Sequence, residues 1–135
     1  MTSDLLLLTA SAIHLGFQLT VSGVVYPALA GEPADRWSGA HRNHSRRITP
    51  VVSVVYGFLA VACGWALLAG PDLWTAASVV AAAVAAVVTA GGAAPIHRRL
   101  GEGHSAVLIG RLLVVDRVRT AAAAVGALAA LLAAR

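Results

Sequence analysis

The sequence has no lysine and only one cysteine, and charged residues of any kind make up 12% of it. A single cysteine, Cys63, excludes an intrachain disulfide. A soluble domain of 135 residues would need far more charge to cover its surface, whereas 59% of these residues are hydrophobic. The composition therefore excludes an ordinary soluble globular protein and favours a chain that lies in lipid.

Three long runs contain no charged residue: 5–31, 48–71 and 73–96, with 27, 24 and 24 residues. About 20 apolar residues are enough for a helix to cross a bilayer. A fourth run, 120–134, spans only roughly 22 Å of a core of roughly 30 Å at about 1.5 Å per residue, so its helix must extend back through VDRVR.

These runs predict an all-α, integral membrane four-helix bundle in a single domain, a multi-pass protein of the cell membrane. The first run is too long and too polar for a signal peptide, and no basic segment precedes it. The predicted helices cover about 5–29, 48–69, 73–95 and 106–134.

The distribution of arginine predicts the orientation. Four arginines lie between helices 1 and 2 and three between helices 3 and 4, while the turn GPDLW has none. The positive-inside rule then places both basic connections in the cytoplasm and both termini on the non-cytoplasmic side. Orientation and anionic lipid account for the basic charge, so we expect no nucleic acid as a partner.

Helix 1 carries a stripe of polar residues, Ser11, His14, Gln18, Ser22 and Tyr26, at intervals of three or four. This spacing places all five on one helix face, which must be turned away from lipid. Two interpretations stay open. The stripe is hydrogen-bonding glue between helices, or it lines a ligand pocket with His14 at its inner end.

The segment WSGAHRNHSRR places Trp37, His41 and His44 on one face if it is helical. We predict a short helical segment over 35–47, with Asp35 as its N-cap, which leads into helix 2. Pro50 either kinks one long helix or starts the membrane part anew. The two histidines can share a ligand or a metal ion, or the segment is a cationic cluster at the membrane surface.

Two further sets of polar residues flank the last connection. His97 and His104, in AAPIHRRLGEGH, are either solvated loop residues or part of a site. Asp116 and Arg119 lie three apart on helix 4, where we predict an ion pair with either a structural or a functional role.

The predicted topology brings these residues to the cytoplasmic ends of the helices, with His14 deeper in the bundle. The candidate catalytic residues are His14, His41, His44 and Asp116. The candidate substrate-binding residues are Gln18, Ser22, Tyr26, Trp37 and Arg119.

The order of these motifs resembles the anthrone oxygenase-like family of small four-helix membrane proteins. The resemblance is carried by VVYPAL at the end of helix 1, the Trp and polar cluster before helix 2, AAPIHRRL, and DRVRTAAAAVGALAALL. The chain departs from the family at Ala94-Pro95-Ile96-His97, where the family tends to carry asparagine beside the proline. The resemblance implies an integral membrane enzyme that oxidises a lipophilic aromatic compound.

Three functional hypotheses follow. The first is a membrane enzyme for a lipophilic small molecule, acting by oxidation or by acid-base isomerisation or cyclisation with histidine as the base. The second is a small transporter or accessory subunit, which would need to oligomerise through its small-residue faces. The third is a metal or haem protein with a transition metal held by histidine, so the cofactor is either none or such a metal.

Overall fold

The computed structural model describes residues 2–135 and is all-helical over that range, with no β-strand. Its four long helices are α1 (Ser3–Ala30), α2 (Trp37–Leu68), α3 (Leu73–Leu100) and α4 (Ala106–Ala133). By length and composition, α1, α2 and α3 can each cross a membrane. The fourth helix is as long but contains three arginines and Asp116.

The segment before Pro50 belongs to α2 itself. The helix begins at Trp37 and continues through Pro50, so the two predicted pieces form one helix. Pro50 has no amide hydrogen to donate to the Arg46 carbonyl, and it lies on the exposed side of the helix. Asp35 as N-cap is wrong, because Arg36 precedes the first turn and makes no side-chain capping bond.

Short polar residues begin the other helices. Thr2, Asp72 and Ser105 each accept a hydrogen bond from the amide three residues later, which satisfies a free donor of the first turn. At Asp72 the bonds from Thr75 lower the pKa of the carboxyl group. The tight turn before it depends on Gly70, whose φ of 94° is a conformation that favours glycine.

Helices α1 and α3 each contain one π-helical turn, at Val21–Val25 and Thr89–Ala93. Both turns end just before a proline, Pro27 or Pro95, which cannot donate to the carbonyl four residues earlier. A π-turn takes in one extra residue and so rotates the following residues by about 100° around the helix axis. Tyr26 directly follows the first π-turn, and His97 is the fourth residue after the second.

The helices run alternately up and down. One buried cluster joins the start of α1 to the ends of α2 and α4, and includes Leu7, Leu59 and Ala130. A second cluster joins Tyr26, Trp37 and Leu100, where α1 ends, α2 begins and α3 ends. We call this second end of the bundle the histidine end.

Packing is uneven around the bundle. Helix α1 packs on α2 and α4, and α3 packs mainly on α4. The α3–α4 contact is close because small residues meet there: the Ser78 hydroxyl donates to the Gly126 carbonyl at 3.0 Å. Helices α2 and α3 touch less, and the space between them becomes part of the site.

Candidate functional site

Arg119 lies at the middle of α4 and points into the bundle, where only 2% of its surface is exposed. Its Nη2 donates to the Gln18 carboxamide oxygen at 2.9 Å, and its Nη1 donates to the Tyr26 hydroxyl at 3.4 Å. Both partners belong to the polar stripe of α1. The stripe therefore provides most of the hydrogen-bonding environment of this cation.

Asp116 and Arg119 form the expected ion pair, with 3.7 Å between Oδ1 and Nη1. The carboxylate is held more closely from α1, since Ser22 donates to Oδ2, and Ser22 also lies 2.7 Å from the Thr120 hydroxyl. Asp116 Oδ1 has no hydrogen-bond partner within residues 2–135. The two charges thus neutralise each other in a buried place, but their hydrogen-bonding atoms do not all have partners.

Tyr26 links Arg119 to the histidines. Its hydroxyl oxygen lies 3.0 Å from His97 Nε2, and His97 Nδ1 lies 3.3 Å from His41 Nε2. The rings of His41 and His97 are stacked, with centroids 5.5 Å apart and an angle of 30° between their planes. Four side chains from all four helices form one continuous chain of contacts.

The direction of this chain follows from the chemistry of arginine, which can only donate. Tyr26 accepts from Arg119, and among the described residues its own hydrogen has one acceptor, His97 Nε2. His97 must then carry its hydrogen on Nδ1 and donate it to His41 Nε2. We therefore assign three successive hydrogen bonds: Arg119 donates to Tyr26, Tyr26 donates to His97, and His97 donates to His41.

Trp37 and two more histidines surround this chain at the histidine end. The Trp37 indole donates to the Leu100 carbonyl at 2.9 Å and stacks on His41 with centroids 5.4 Å apart. His104 meets the edge of Trp37, and His44 lies parallel to His97 at 5.5 Å. The indole thereby fixes the position of the His41 ring.

An open cavity of about 420 Å³ lies between α1, α2 and α3. Its walls are mainly apolar and include Phe17, Val21, Ile48, Val52 and Ala93. Its polar groups include three members of the chain, Tyr26, His97 and Arg119. This volume falls within the range of about 300–1,000 Å³ that is usual for small-molecule sites.

The structure separates the sequence candidates into two groups. Tyr26 and Arg119 line the cavity, and so does His97, whose membership the sequence left open. The other candidates lie behind or beside the cavity rather than in its wall: His14, Gln18, Ser22, Trp37, His41, His44 and Asp116.

His14 is not at the inner end of this cavity. It is 2% exposed, and its ring meets Tyr56 edge-on with centroids 4.9 Å apart. Its Nε2 is buried without a hydrogen-bond partner among residues 2–135. Tyr56 in turn bonds the Thr89 hydroxyl at 2.8 Å, a contact between α2 and α3 that no motif in the sequence indicated.

One feature of the sequence bears on the position of His97. Both π-turns precede a proline, and the segments GVVYPA and GGAAPIH share that pattern of a glycine and small or branched residues before proline. The extra residue in each turn helps to set which face Tyr26 and His97 present. Their meeting at 3.0 Å depends on both turns.

The histidines do not form a set of metal ligands. In the described part of the chain, no group of three or more His, Cys, Asp or Glu side chains is arranged to hold a metal ion. His41 and His97 point nitrogens at each other over 3.3 Å, which is the geometry of a hydrogen bond between them. Within residues 2–135 these side chains therefore provide no set of three ligands for one metal ion.

Comparisons with known proteins give no relative to set beside this site. No family model matches the chain, and no curated protein or solved structure matches it.

The arrangement has a definite chemical capacity. A lipophilic molecule in the cavity would meet a hydroxyl that accepts from a guanidinium and donates to an imidazole. A hydroxyl so placed can donate a proton to a bound group or accept one from it, while Arg119 faces negative charge that develops nearby.

Proposed function

We propose that this protein is an integral membrane enzyme that binds a lipophilic small molecule with an oxygen-bearing end and moves a proton within it. The observation that carries the proposal is the apolar cavity of about 420 Å³ into which Tyr26, Arg119 and His97 bring polar groups. A mainly apolar pocket with a few convergent polar groups is the usual form of a small-molecule site.

The membrane setting is part of the proposal. Three helices have the length and hydropathy to cross a bilayer, and α4 buries Asp116 and Arg119 inside the bundle. We place all four helices across the cell membrane, with both termini on the non-cytoplasmic side and the histidine end at the cytoplasmic side.

The proposed reaction is acid-base isomerisation, such as movement of a carbon-carbon double bond into conjugation with a carbonyl. Tyr26 oxygen takes the proton from the carbon between the carbonyl and the alkene, while its own proton passes to His97 Nε2. The electron pair of the broken C–H bond forms an enolate, whose oxygen faces Arg119. Return of the proton to the far end of the dienolate gives the conjugated isomer.

The positions of Arg119 and Tyr26 support this mechanism. Arg119 stabilises the negative charge that develops on the enolate oxygen, and its burial, with 2% of its surface exposed, strengthens this interaction. Tyr26 is 5% exposed, so its position is fixed by packing. The apolar walls would accommodate an aliphatic ring or the lipophilic aromatic compound that the family resemblance implies.

The test uses the full chain in lipid nanodiscs with an octyl-substituted β,γ-unsaturated cyclohexenone, followed by the ultraviolet absorbance of the conjugated product. We expect turnover by the parent and a loss of at least about a hundredfold in Tyr26→Phe, because general acid-base groups contribute roughly 10²–10⁴-fold. Binding of the saturated octyl-substituted cyclohexanone should change little.

Tyr56→Phe is the matched control, because Tyr56 is the other tyrosine of the bundle, its hydroxyl bonds Thr89, and it does not line the cavity. It should keep parental turnover. A parent that neither binds the saturated ketone nor converts the unsaturated one would refute the proposal, as would equal losses in the two phenylalanine variants.

A further inference from the structure

We propose that His41 stores the proton that leaves the substrate, so that the positive charge formed during turnover lies further from Arg119. This inference rests on the proposed function, because the proton comes from the proposed substrate. His41 does not line the cavity, so it acts through His97 as a positioning residue that also takes up a proton.

The geometry provides an acceptor at each step. His97 Nε2 faces the Tyr26 hydroxyl at 3.0 Å, and His41 Nε2 faces His97 Nδ1 at 3.3 Å. His41 belongs to the second turn of α2, at the histidine end of the bundle, and Gly101 of the α3–α4 connection lies against its ring. The chain therefore leads from the cavity toward the edge of the membrane.

The proton transfer balances. The substrate proton moves to the Tyr26 oxygen, the Tyr26 proton moves to His97 Nε2, and the His97 Nδ1 proton moves to His41 Nε2. His97 ends neutral in its other tautomer, and His41 ends as an imidazolium. The products are one enolate and one imidazolium, and the reverse sequence returns the proton to the substrate.

Charge separation is the physical reason for a third group. A proton left on His97 would place a cation beside Tyr26, whose hydroxyl already contacts the Arg119 guanidinium at 3.4 Å. Like charges this close are unfavourable in a buried site. Transfer to His41, which is itself buried with 5% of its surface exposed, moves the new charge one ring further from the guanidinium.

Apolar packing at the opposite end of the bundle blocks proton transfer in that direction. Beyond His14, α1 presents Ala10 and Leu7, which pack on Leu59, Ala62 and Ala130 with at most 3% exposure each. This apolar cluster interrupts the polar chain before the other membrane surface. Proton transfer along the chain is therefore confined to the histidine end of the bundle.

The first test compares His41→Ala and His41→Gln with the parent in the cyclohexenone assay. Glutamine can accept the hydrogen bond from His97 but cannot take up a proton, so it separates positioning from storage. We expect turnover to fall by about a hundredfold in both variants, with unchanged binding of the saturated ketone, and added imidazole to restore His41→Ala. His104→Ala, which removes an exposed histidine beside Trp37, is the control and should keep parental turnover.

Parental turnover in His41→Gln would overturn proton storage, as would a loss in His41→Ala that imidazole does not reverse. A second measurement does not depend on turnover: nuclear magnetic resonance of nitrogen-labelled histidine in the parent. We expect His97 and His41 each to carry hydrogen on Nδ1, and hydrogen on His97 Nε2 would overturn the relay even if the enzyme is active. A parent with this tautomer pattern but no turnover would refute the proposed function and leave the hydrogen-bonded chain standing.

Discussion

The carboxamide oxygen of Gln18 accepts a hydrogen bond of 2.9 Å from Arg119, which joins α1 to α4 in the middle of the bundle. Gln18 has 0% and Arg119 2% of its surface exposed. Burial of a cation is costly unless it is paired and hydrogen-bonded. The neutral amide of another helix supplies a closer contact than the acid of its own helix, since Asp116 lies 3.7 Å away.

Asp116 should nevertheless stabilise the protein through its charge. We expect Asp116→Ala to lower the free energy of unfolding in detergent by about 2–3 kcal/mol, because Arg119 then lacks a counter-ion in an apolar interior. The double variant with Arg119→Ala should cost less than the sum of the two single changes, by about 0.5–3 kcal/mol.

Recovery in the double variant should be partial, because loss of Arg119 also leaves Gln18 and Tyr26 without their donor. Arg117→Ala is the control, since Arg117 lies on the exposed side of the same helix turn. Additive effects of the Asp116 and Arg119 variants would show that the two residues do not interact.

A bulky residue in the cavity wall should block ligand binding without unfolding the chain. Ala94 lines the cavity and is exposed, so Ala94→Trp can place its ring in the open space without displacing the buried core. We expect at least about a tenfold weaker affinity for the saturated octyl-substituted cyclohexanone, with a thermal unfolding temperature close to that of the parent.

Ala90→Trp is the matched control for Ala94→Trp, because Ala90 is exposed one turn earlier on α3 and does not line the cavity. It should bind the ketone as the parent does. Equal binding by both tryptophan variants would mean that the cavity is not the ligand site.

Charge-free runs and helical spacing predicted most of the architecture. They gave four helices, the inward face of α1 and the Asp116–Arg119 pair, because each depends on spacing within one helix. For the segment 35–47, the sequence allows either a break at Pro50 or a continuous helix. The structure has the continuous one.

The contacts between helices were less predictable. The contact between His97 and Tyr26 depends on one π-turn in each of their helices, and Tyr56 contacts Thr89 across the space between α2 and α3. Neither contact has a fixed spacing in the sequence. The position of His14 was hard to predict for the same reason. The helical spacing of the polar residues correctly placed His14 on the inner face of α1, but spacing alone does not show whether that face meets a cavity or Tyr56.

His14→Leu tests this distinction. The unpartnered Nε2 of His14 does not face the cavity, so replacing the ring by an apolar side chain should leave ketone affinity and turnover within about twofold of the parent. Gln18→Leu, one turn later, should lower stability by roughly 1–3 kcal/mol, because Arg119 Nη2 loses its acceptor. A His14→Leu protein that folds like the parent but loses ketone binding would show that His14 reaches the ligand.

The Asp72 cap should give a pH-dependent contribution to stability. Hydrogen bonds from Thr75 lower the pKa of Asp72 in the folded state, so its ionised form stabilises α3 above the ordinary pKa of aspartate, about 3.9. This stabilisation is lost as the pH falls through the lowered folded-state pKa.

Asp72→Ala should therefore unfold at a lower temperature than the parent at neutral pH, and the difference should shrink in acid. Asp72→Asn keeps the capping oxygen without the charge, and it should remain close to the parent at neutral pH. Thermal unfolding monitored by circular dichroism measures both effects. A difference between parent and Asp72→Ala that grows toward acid pH would contradict the assigned sign.

The membrane orientation can be tested at the two turns and at the end of α4. Of the four charged residues of α4, Asp116 and Arg119 are 2% exposed, and the side facing outward carries Val114, Val125 and Leu128 beside Arg111 and Arg117. We therefore expect α4 to cross the bilayer.

Reporter fusions at Asp72 and after Arg135 should lie on the non-cytoplasmic side and a fusion at Gly101 in the cytoplasm, because the arginines flank that end. The same side for Asp72 and Gly101 would refute a spanning α3, and the same side for Gly101 and Arg135 would show that α4 lies along the membrane surface.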